Sequence, residues 1–170
     1  MKRALVMSGG GARGSFQLGM LLELVLKQNL NFDVIRGVSV GAINAAFLAQ
    51  AELTDNKPQS LKNLKQEVKA LENVWTKDIV GNDSIYSGRG GFAGLIVGAD
   101  SLHGLKPLRT LLENRLDMDK MSQSGRNFKV GTVSLVSGLY QEWSADEPDF
   151  LDRIIASSAI PVVFPFVDLK

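Results

Sequence analysis

The chain has 170 residues, of which 45% are hydrophobic and 22% are charged, as in an ordinary globular protein with one core. Its 19 Lys and Arg residues nearly balance 18 Asp and Glu residues, so no net field favours a nucleic acid or an anionic membrane as partner. The lack of cysteine excludes disulfides, thiol catalysis and thiolate metal sites. These properties predict one domain over residues 1–170 whose function depends on a local site.

The first predicted βα unit begins with a buried strand from Ala4 to Met7. A glycine-rich loop, residues 8–14, leads from it into an apolar helix that runs from Phe16 to Leu26. The loop satisfies the pattern G-x-G-x-x-G, which suits either a dinucleotide or an oxyanion, since both bind backbone N–H groups at a helix start. Within it, Arg13 either caps neighbouring carbonyls or contacts a phosphate or carboxylate, and the sequence favours neither role.

The second predicted unit places a serine at a sharp turn. A short β-branched strand ends at Gly37, residues 37–41 read G-x-S-x-G, and a helix of small residues continues to about Ala51. In a nucleophile elbow the serine lies between strand and helix, and flanking glycines allow close backbone approach. Ser39 is therefore the candidate nucleophile, Gly37 and Gly41 are the elbow glycines, and the Val40 N–H is a candidate oxyanion donor.

The two glycine-containing turns are mutually consistent. Successive parallel strands place both turns at the carboxyl edge of the sheet, where α/β proteins have their sites. A dinucleotide site would need an acidic residue at the end of the second strand, but this strand ends at Gly37. An acyl-transfer site needs N–H donors from the residue after the nucleophile and from a second loop. The sequence therefore predicts an oxyanion hole formed by Gly9, Gly10, Gly11 and Val40.

The remaining elements follow from periodicity and turn residues. In chain order they are a polar loop at 54–60, an amphipathic helix from Leu61 to Trp75, an irregular stretch from Lys77 to Gly104, a helix from Lys106 to about Leu116, a polar connection at 118–126, a β-hairpin with strands at 127–136 and 139–143, and a helix from 146 to about 157. An apolar cluster at 92–99 either packs on the core or contacts a lipid surface. The two initial βα units predict an α/β fold with a parallel sheet covered by helices.

A serine nucleophile requires a base, and the sequence offers no convincing histidine. The only one, His103, lies in a predicted loop at a helix entry, a setting more typical of a surface residue than of a triad base. If His103 is not the base, a carboxylate must serve in a dyad.

Residues 9–14 and 37–45 together resemble the patatin-like phospholipase family, as do residues 124–131 and 156–165. The resemblance implies a three-layer sandwich with a central, mainly parallel sheet covered by helices. It also implies a serine hydrolase that degrades lipid esters, of phospholipase A or esterase type, through a Ser-Asp dyad and an oxyanion hole. Ser39 matches the nucleophile. No metal or other cofactor is expected, and the expected partner is a lipid or other acyl ester, with transient contact to a membrane surface.

The sequence departs from this family at the catalytic Asp. The family carries it in an Asp-Gly-Gly or Asp-Gly-Ala motif after the proline-rich stretch that residues 160–165 match, whereas Asp168 precedes Leu169 and is expected to be a strand-end or turn residue. The chain is therefore expected to be the amino-terminal portion of a longer, carboxy-terminally incomplete domain. Such a portion would have weak activity or none, and its incomplete sheet edge would favour self-association.

A non-catalytic module is the alternative, in which the loop from Gly9 to Gly14 and Arg13 hold a phosphate, a nucleotide or a lipid headgroup. Either protein is expected to be soluble and cytoplasmic, without nucleic-acid binding. The apolar run near the amino terminus is too short for a signal peptide, and no segment approaches the roughly 18 apolar residues that span a bilayer.

Overall fold

The computed structural model of the chain describes residues 1–79, 81–85, 87–88, 103–161 and 163–169. The apolar cluster predicted at 92–99 lies outside these residues. The described strands are β1 (Ala4–Met7), β2 (Val34–Gly37), β3 (Ser87–Gly88), β4 (His103–Gly104), β5 (Asn127–Val133) and β6 (Tyr140–Ser144). The described α-helices are α1 (Gly14–Leu21), α2 (Val40–Ala49), α3 (Lys57–Asn73), α4 (Lys106–Arg115), α5 (Met118–Gln123) and α6 (Phe150–Ser158). Helices α1 and α3 each continue into a π-helical segment, Leu22–Lys27 and Val74–Asp78.

A four-stranded sheet in the order β1-β2-β5-β6 forms the centre of the fold. β1, β2 and β5 are parallel, and β6 runs antiparallel to β5. Met7 pairs with Gly37, and Gly37 pairs with Val130, so the ends of these parallel strands meet at one edge. The predicted α/β fold with a mostly parallel sheet and helices is confirmed, and the loops after β1 and β2 lie side by side at that edge.

The two faces of the sheet differ in burial. Helices α2 and α6 both pack on the sheet and on each other, so they cover the same face. The core side chains on this face are Leu5, Met7, Ile35, Phe128 and Val130. On the opposite face Val6 is 73% exposed. The Glu142 carboxylate also lies there, with Oε1 3.8 Å from Arg36 Nε and Oε2 3.8 Å from Lys129 Nζ. Helices α2 and α6 thus form a helical layer on one face of the sheet.

A buried arginine joins the amino end of β5 to two neighbouring segments. The Arg126 guanidinium donates to the carbonyls of Ala51 and Phe32 and, at 3.0 Å, to Oδ1 of Asn31. Burial lowers the pKa of Arg126 to about 10, an effect that nearby Asp33 opposes, so the side chain stays charged at neutral pH. Arg126 thus stabilises the edge of the sheet opposite to the glycine-rich turns.

Several predicted boundaries were wrong. Helix α3 begins at Lys57 rather than at Leu61, because the Asn56 side chain accepts the Gln59 N–H and caps it. The predicted polar connection at 118–126 contains helix α5, which Asp117 caps.

The second half of the chain shows smaller differences. The β-hairpin is confirmed, with its first strand shorter than predicted and its second strand shifted by one residue, and α6 begins at Phe150 rather than at residue 146. His103 lies in β4, paired with Gly88, rather than in a loop. Within the described part of the chain, no helix combines the length and apolarity that crossing a membrane requires.

Candidate active site

Ser39 lies at the turn between β2 and α2. Its backbone has φ 56° and ψ −131°, a left-handed conformation that is strained for a residue with a side chain. Helix α2 begins at the next residue, and the Ala42 N–H donates to the Ser39 carbonyl at 2.8 Å. The predicted strand, turn and helix are therefore present, and a half-buried serine hydroxyl lies at the bend.

The two glycines of the G-x-S-x-G pattern lie where a side chain has no room. A Cβ on Gly37 would lie 2.6 Å from the Cα of Ala42, and a Cβ on Gly41 would lie 2.3 Å from the carbonyl oxygen of Met7. The crowding atoms belong to backbone, which cannot move aside like a flexible side chain. Helix α2 therefore packs tightly against the ends of β1 and β2 because both positions are glycine.

The glycine-rich loop after β1 contacts the serine directly. A Cβ on Gly9 would lie 3.2 Å from the Cβ of Ser39 and 3.7 Å from its Oγ. In the described part of the chain, the backbone N–H groups of Gly10, Gly11 and Val40 donate no hydrogen bond. The structure thus brings the predicted loop and elbow together, with unpaired N–H groups on both.

A buried amide that the sequence analysis missed connects the loop to the helices around it. Asn44 in α2 is fully buried and donates to the Gly14 carbonyl at 3.1 Å and to Oε1 of Gln17 at 2.9 Å. Its Oδ1 accepts the Trp75 indole N–H at 2.9 Å, while Gln17 donates to the Ser8 carbonyl at 2.7 Å. The signal in the sequence was a single polar residue within a run of small apolar ones, which indicates a satisfied buried group.

A second missed residue, Ser157, holds the backbone of Ser39. The Ser39 N–H donates to Ser157 Oγ at 2.8 Å, and this hydroxyl donates to the Gly131 carbonyl at 2.6 Å. One side chain near the end of α6 thus links the elbow to β5. Ser157 falls within the 156–165 stretch that carries the family resemblance, but no local pattern assigned it a partner.

An apolar cavity of about 530 Å³ opens at the elbow. Ser39, Gly11 and Ala12 lie on its wall. The apolar side chains that line it come mainly from α2, from α3 with its π-helical continuation, and from α4; they include Ile43, Phe47, Leu71, Trp75, Leu108 and Leu112. A larger groove of about 750 Å³ lies at the opposite edge of the sheet, where polar residues line it and no predicted site residue is present. The cavity at Ser39 has the size and apolar lining of a small-molecule site.

Of the charged groups that an acyl-transfer site would use, the described residues place Arg13 beside the loop but no carboxylate on the Ser39 hydroxyl. Arg13 is exposed beside the loop and, among the described residues, forms no ion pair. No side chain in the described ranges hydrogen-bonds to Ser39 Oγ, and exposed Asp168 lies outside any helix or strand. Those ranges also contain no group of three or more side chains that could hold a metal ion. The site therefore consists of the nucleophile candidate, two sets of N–H donors and an apolar cavity.

Comparison with known proteins places the chain in a family. No curated protein shows significant similarity to it. The sequence model of the family described as Patatin-like phospholipase matches residues 5–170, which include the glycine loop, the elbow and Ser157. A match over nearly the whole chain shows the family. On this match, and in agreement with the strained serine and its glycine loop, the chain belongs to the patatin-like phospholipase family.

Proposed function

We propose that Ser39 is the nucleophile of a lipid acyl hydrolase of esterase or phospholipase A type. Family membership indicates a lipid hydrolase in general terms. The observation that carries the assignment of Ser39 as nucleophile is its conformation. Its strained backbone places the residue in contact with the glycine loop and on the wall of an apolar cavity. Strain of this kind persists where the surrounding structure enforces it, commonly at active sites.

The proposed reaction begins with attack of Ser39 Oγ on the acyl carbonyl carbon. The serine proton passes to a carboxylate base, the partner in a Ser-Asp dyad, and the carbonyl oxygen becomes an oxyanion. The N–H groups of Gly10, Gly11 and Val40 stabilise that oxyanion, with Gly9 allowing the loop to approach. The ester C–O bond then breaks, the alcohol leaves with the proton, and water attacks the acyl-enzyme to release the acid and regenerate the hydroxyl.

The cavity supports an acyl chain as the bound group. Its apolar walls favour methylene groups, and burial of each contributes about 0.8 kcal/mol. A nucleotide base or phosphate would leave polar atoms unpaired against the same walls. In this proposal the exposed Arg13 contacts an anionic part of the substrate at the mouth of the site, such as a headgroup phosphate.

A fluorophosphonate probe on the full-length protein tests the proposal. The probe should label the wild type and the control Ser122→Ala, whose hydroxyl donates to the Asp119 carbonyl of its own helix. Labelling should disappear in Ser39→Ala, and hydrolysis of a soluble p-nitrophenyl ester should disappear with it. Undiminished labelling of Ser39→Ala would refute the assignment. Nucleotide binding by calorimetry without ester hydrolysis would instead support the binding-module alternative.

A further inference from the structure

The β5–β6 hairpin extends beyond the edge of the sheet that carries Ser39. Gly37, the last residue of β2, pairs with Val130, and β5 continues for three residues to Val133. At about 3.3 Å per residue, the hairpin projects roughly 10 Å past the end of β2 before its turn begins. The turn is ordered by hydrogen bonds from Ser134 N to the Leu139 carbonyl at 3.0 Å and from Gly138 N to the Ser134 carbonyl at 2.8 Å.

The tip of this hairpin is apolar and exposed to solvent. Val136 is 100% exposed, Leu139 is 65% exposed and Leu135 is 61% exposed. No Lys, Arg, Asp or Glu occurs between Lys129 and Glu142. Large apolar side chains clustered on a projecting turn indicate a surface that becomes buried against another phase or molecule.

The charges around the site match a phospholipid surface. At the edge with Ser39, the glycine loop presents the exposed cation Arg13. Asp33, which precedes β2, and Asp146, which follows β6, lie toward the other end of the sheet. Glu142, opposite Gly131, is nearer the Ser39 edge, but it lies 3.8 Å from the cationic groups of both Arg36 and Lys129. A membrane that receives the apolar tip would therefore meet the Arg13 cation at its phosphates, while the carboxylates of Asp33 and Asp146 would remain in water.

We infer that the hairpin tip, formed by Leu135, Val136 and Leu139, inserts into a lipid surface and orients the Ser39 edge toward it. The inference rests on the proposed function, since a lipid hydrolase must reach ester bonds within a lipid aggregate. It adds the surface by which the protein docks.

A single fluorescent label tests the orientation. The chain has no cysteine, so Val136→Cys and the control Asp146→Cys each provide one thiol for an environment-sensitive nitrobenzoxadiazole dye. The labelled full-length proteins are mixed with vesicles of phosphatidylcholine and phosphatidylglycerol in equal parts. Emission should shift to the blue and intensify at position 136 and stay unchanged at position 146. No shift at position 136, or an equal shift at both positions, would overturn the inference.

A surface variant tests the affinity. The triple substitution Leu135→Ser, Val136→Ser and Leu139→Ser should reduce sedimentation with the same vesicles by tenfold or more, because each apolar side chain lost removes a favourable transfer into the lipid. Undiminished vesicle binding by a folded triple variant would overturn the inference, and if that variant fails to fold, the labelled single variants decide.

Fluorophosphonate labelling in the same samples keeps the two proposals separate. Labelled protein that does not bind vesicles would refute the docking surface alone. Vesicle-bound protein without Ser39 labelling would refute the proposed nucleophile alone.

Discussion

Ser157 provides the most direct test of how the fold positions Ser39, the proposed nucleophile. Its hydroxyl accepts the Ser39 N–H at 2.8 Å and donates to the Gly131 carbonyl at 2.6 Å. The substitution Ser157→Ala removes both hydrogen bonds and leaves a donor and an acceptor without their partner. Since Ser39 has φ 56°, loss of its N–H anchor allows the elbow to relax toward an unstrained conformation.

The size of the effect follows from the two bonds. Each contributes about 0.5–1.5 kcal/mol net, and an unsatisfied buried group costs more than that. Ser157 is half-buried, so water replaces part of the loss. We therefore expect the free energy of unfolding to fall by about 1–3 kcal/mol, which lowers the Tm by about 2–4 °C for each kcal/mol in a protein of this size. If the transition state loses the same 1–3 kcal/mol through misalignment of Ser39, kcat falls by roughly 5- to 150-fold.

The assays are thermal unfolding and hydrolysis of a soluble p-nitrophenyl ester by the full-length protein. The KM should change little, because the cavity walls formed by Ile43, Phe47 and Leu108 are untouched. Ser157→Thr keeps a hydroxyl and should recover most of the activity, while Ser122→Ala controls for loss of a helical serine elsewhere. Wild-type kcat and Tm in Ser157→Ala would show that this hydroxyl does not position Ser39.

Two further substitutions test the packing and the electrostatics. Gly41→Ala should lower stability by about 1–3 kcal/mol or more and abolish fluorophosphonate labelling, because its Cβ would lie 2.3 Å from the Met7 carbonyl oxygen. Gly19→Ala in α1, which meets no atom within 4 Å, should instead stabilise by up to about 1 kcal/mol, and equal Tm values for the two variants would contradict the steric argument. Burial raises the pKa of Glu67 above its ordinary 4.5, because the folded protein favours the protonated carboxyl. The stability that protonated Glu67 gives at low pH is therefore lost as the pH rises through the folded-state pKa, and the ionised carboxylate opposes folding at neutral pH. Chemical denaturation should therefore show Glu67→Gln to be more stable than the wild type at about pH 7, with the gain shrinking at about pH 4, and a gain independent of pH would refute the role of burial.

Sequence by itself determined the two βα units and the identity of the candidate nucleophile. Strand and helix periodicity are local properties, and so is the requirement for glycine on both sides of a sharp turn. Residues 37–41 therefore predicted the elbow. Because β1 and β2 were predicted to be parallel neighbours, the glycine loop after β1 was expected to lie beside that elbow. The family match over residues 5–170 agrees with this reading.

Local patterns were weaker at element boundaries, where a single cap decides the outcome. Helix α5 was missed because its six residues contain few apolar positions, and what stabilises it is the Asp117 cap and burial of Met121. The start of α3 depends in the same way on Asn56.

Only the tertiary structure decided which residues surround Ser39. Ser157 is 118 positions away along the chain, and it reaches the elbow because α6 packs on the same face of the sheet as α2. The hydrogen bonds of Asn44 likewise depend on how α1 and the π-helical continuation of α3 pack beside α2. Periodicity identifies which residues are buried but not which distant residues they meet, because that pairing depends on how the helices and the sheet pack together.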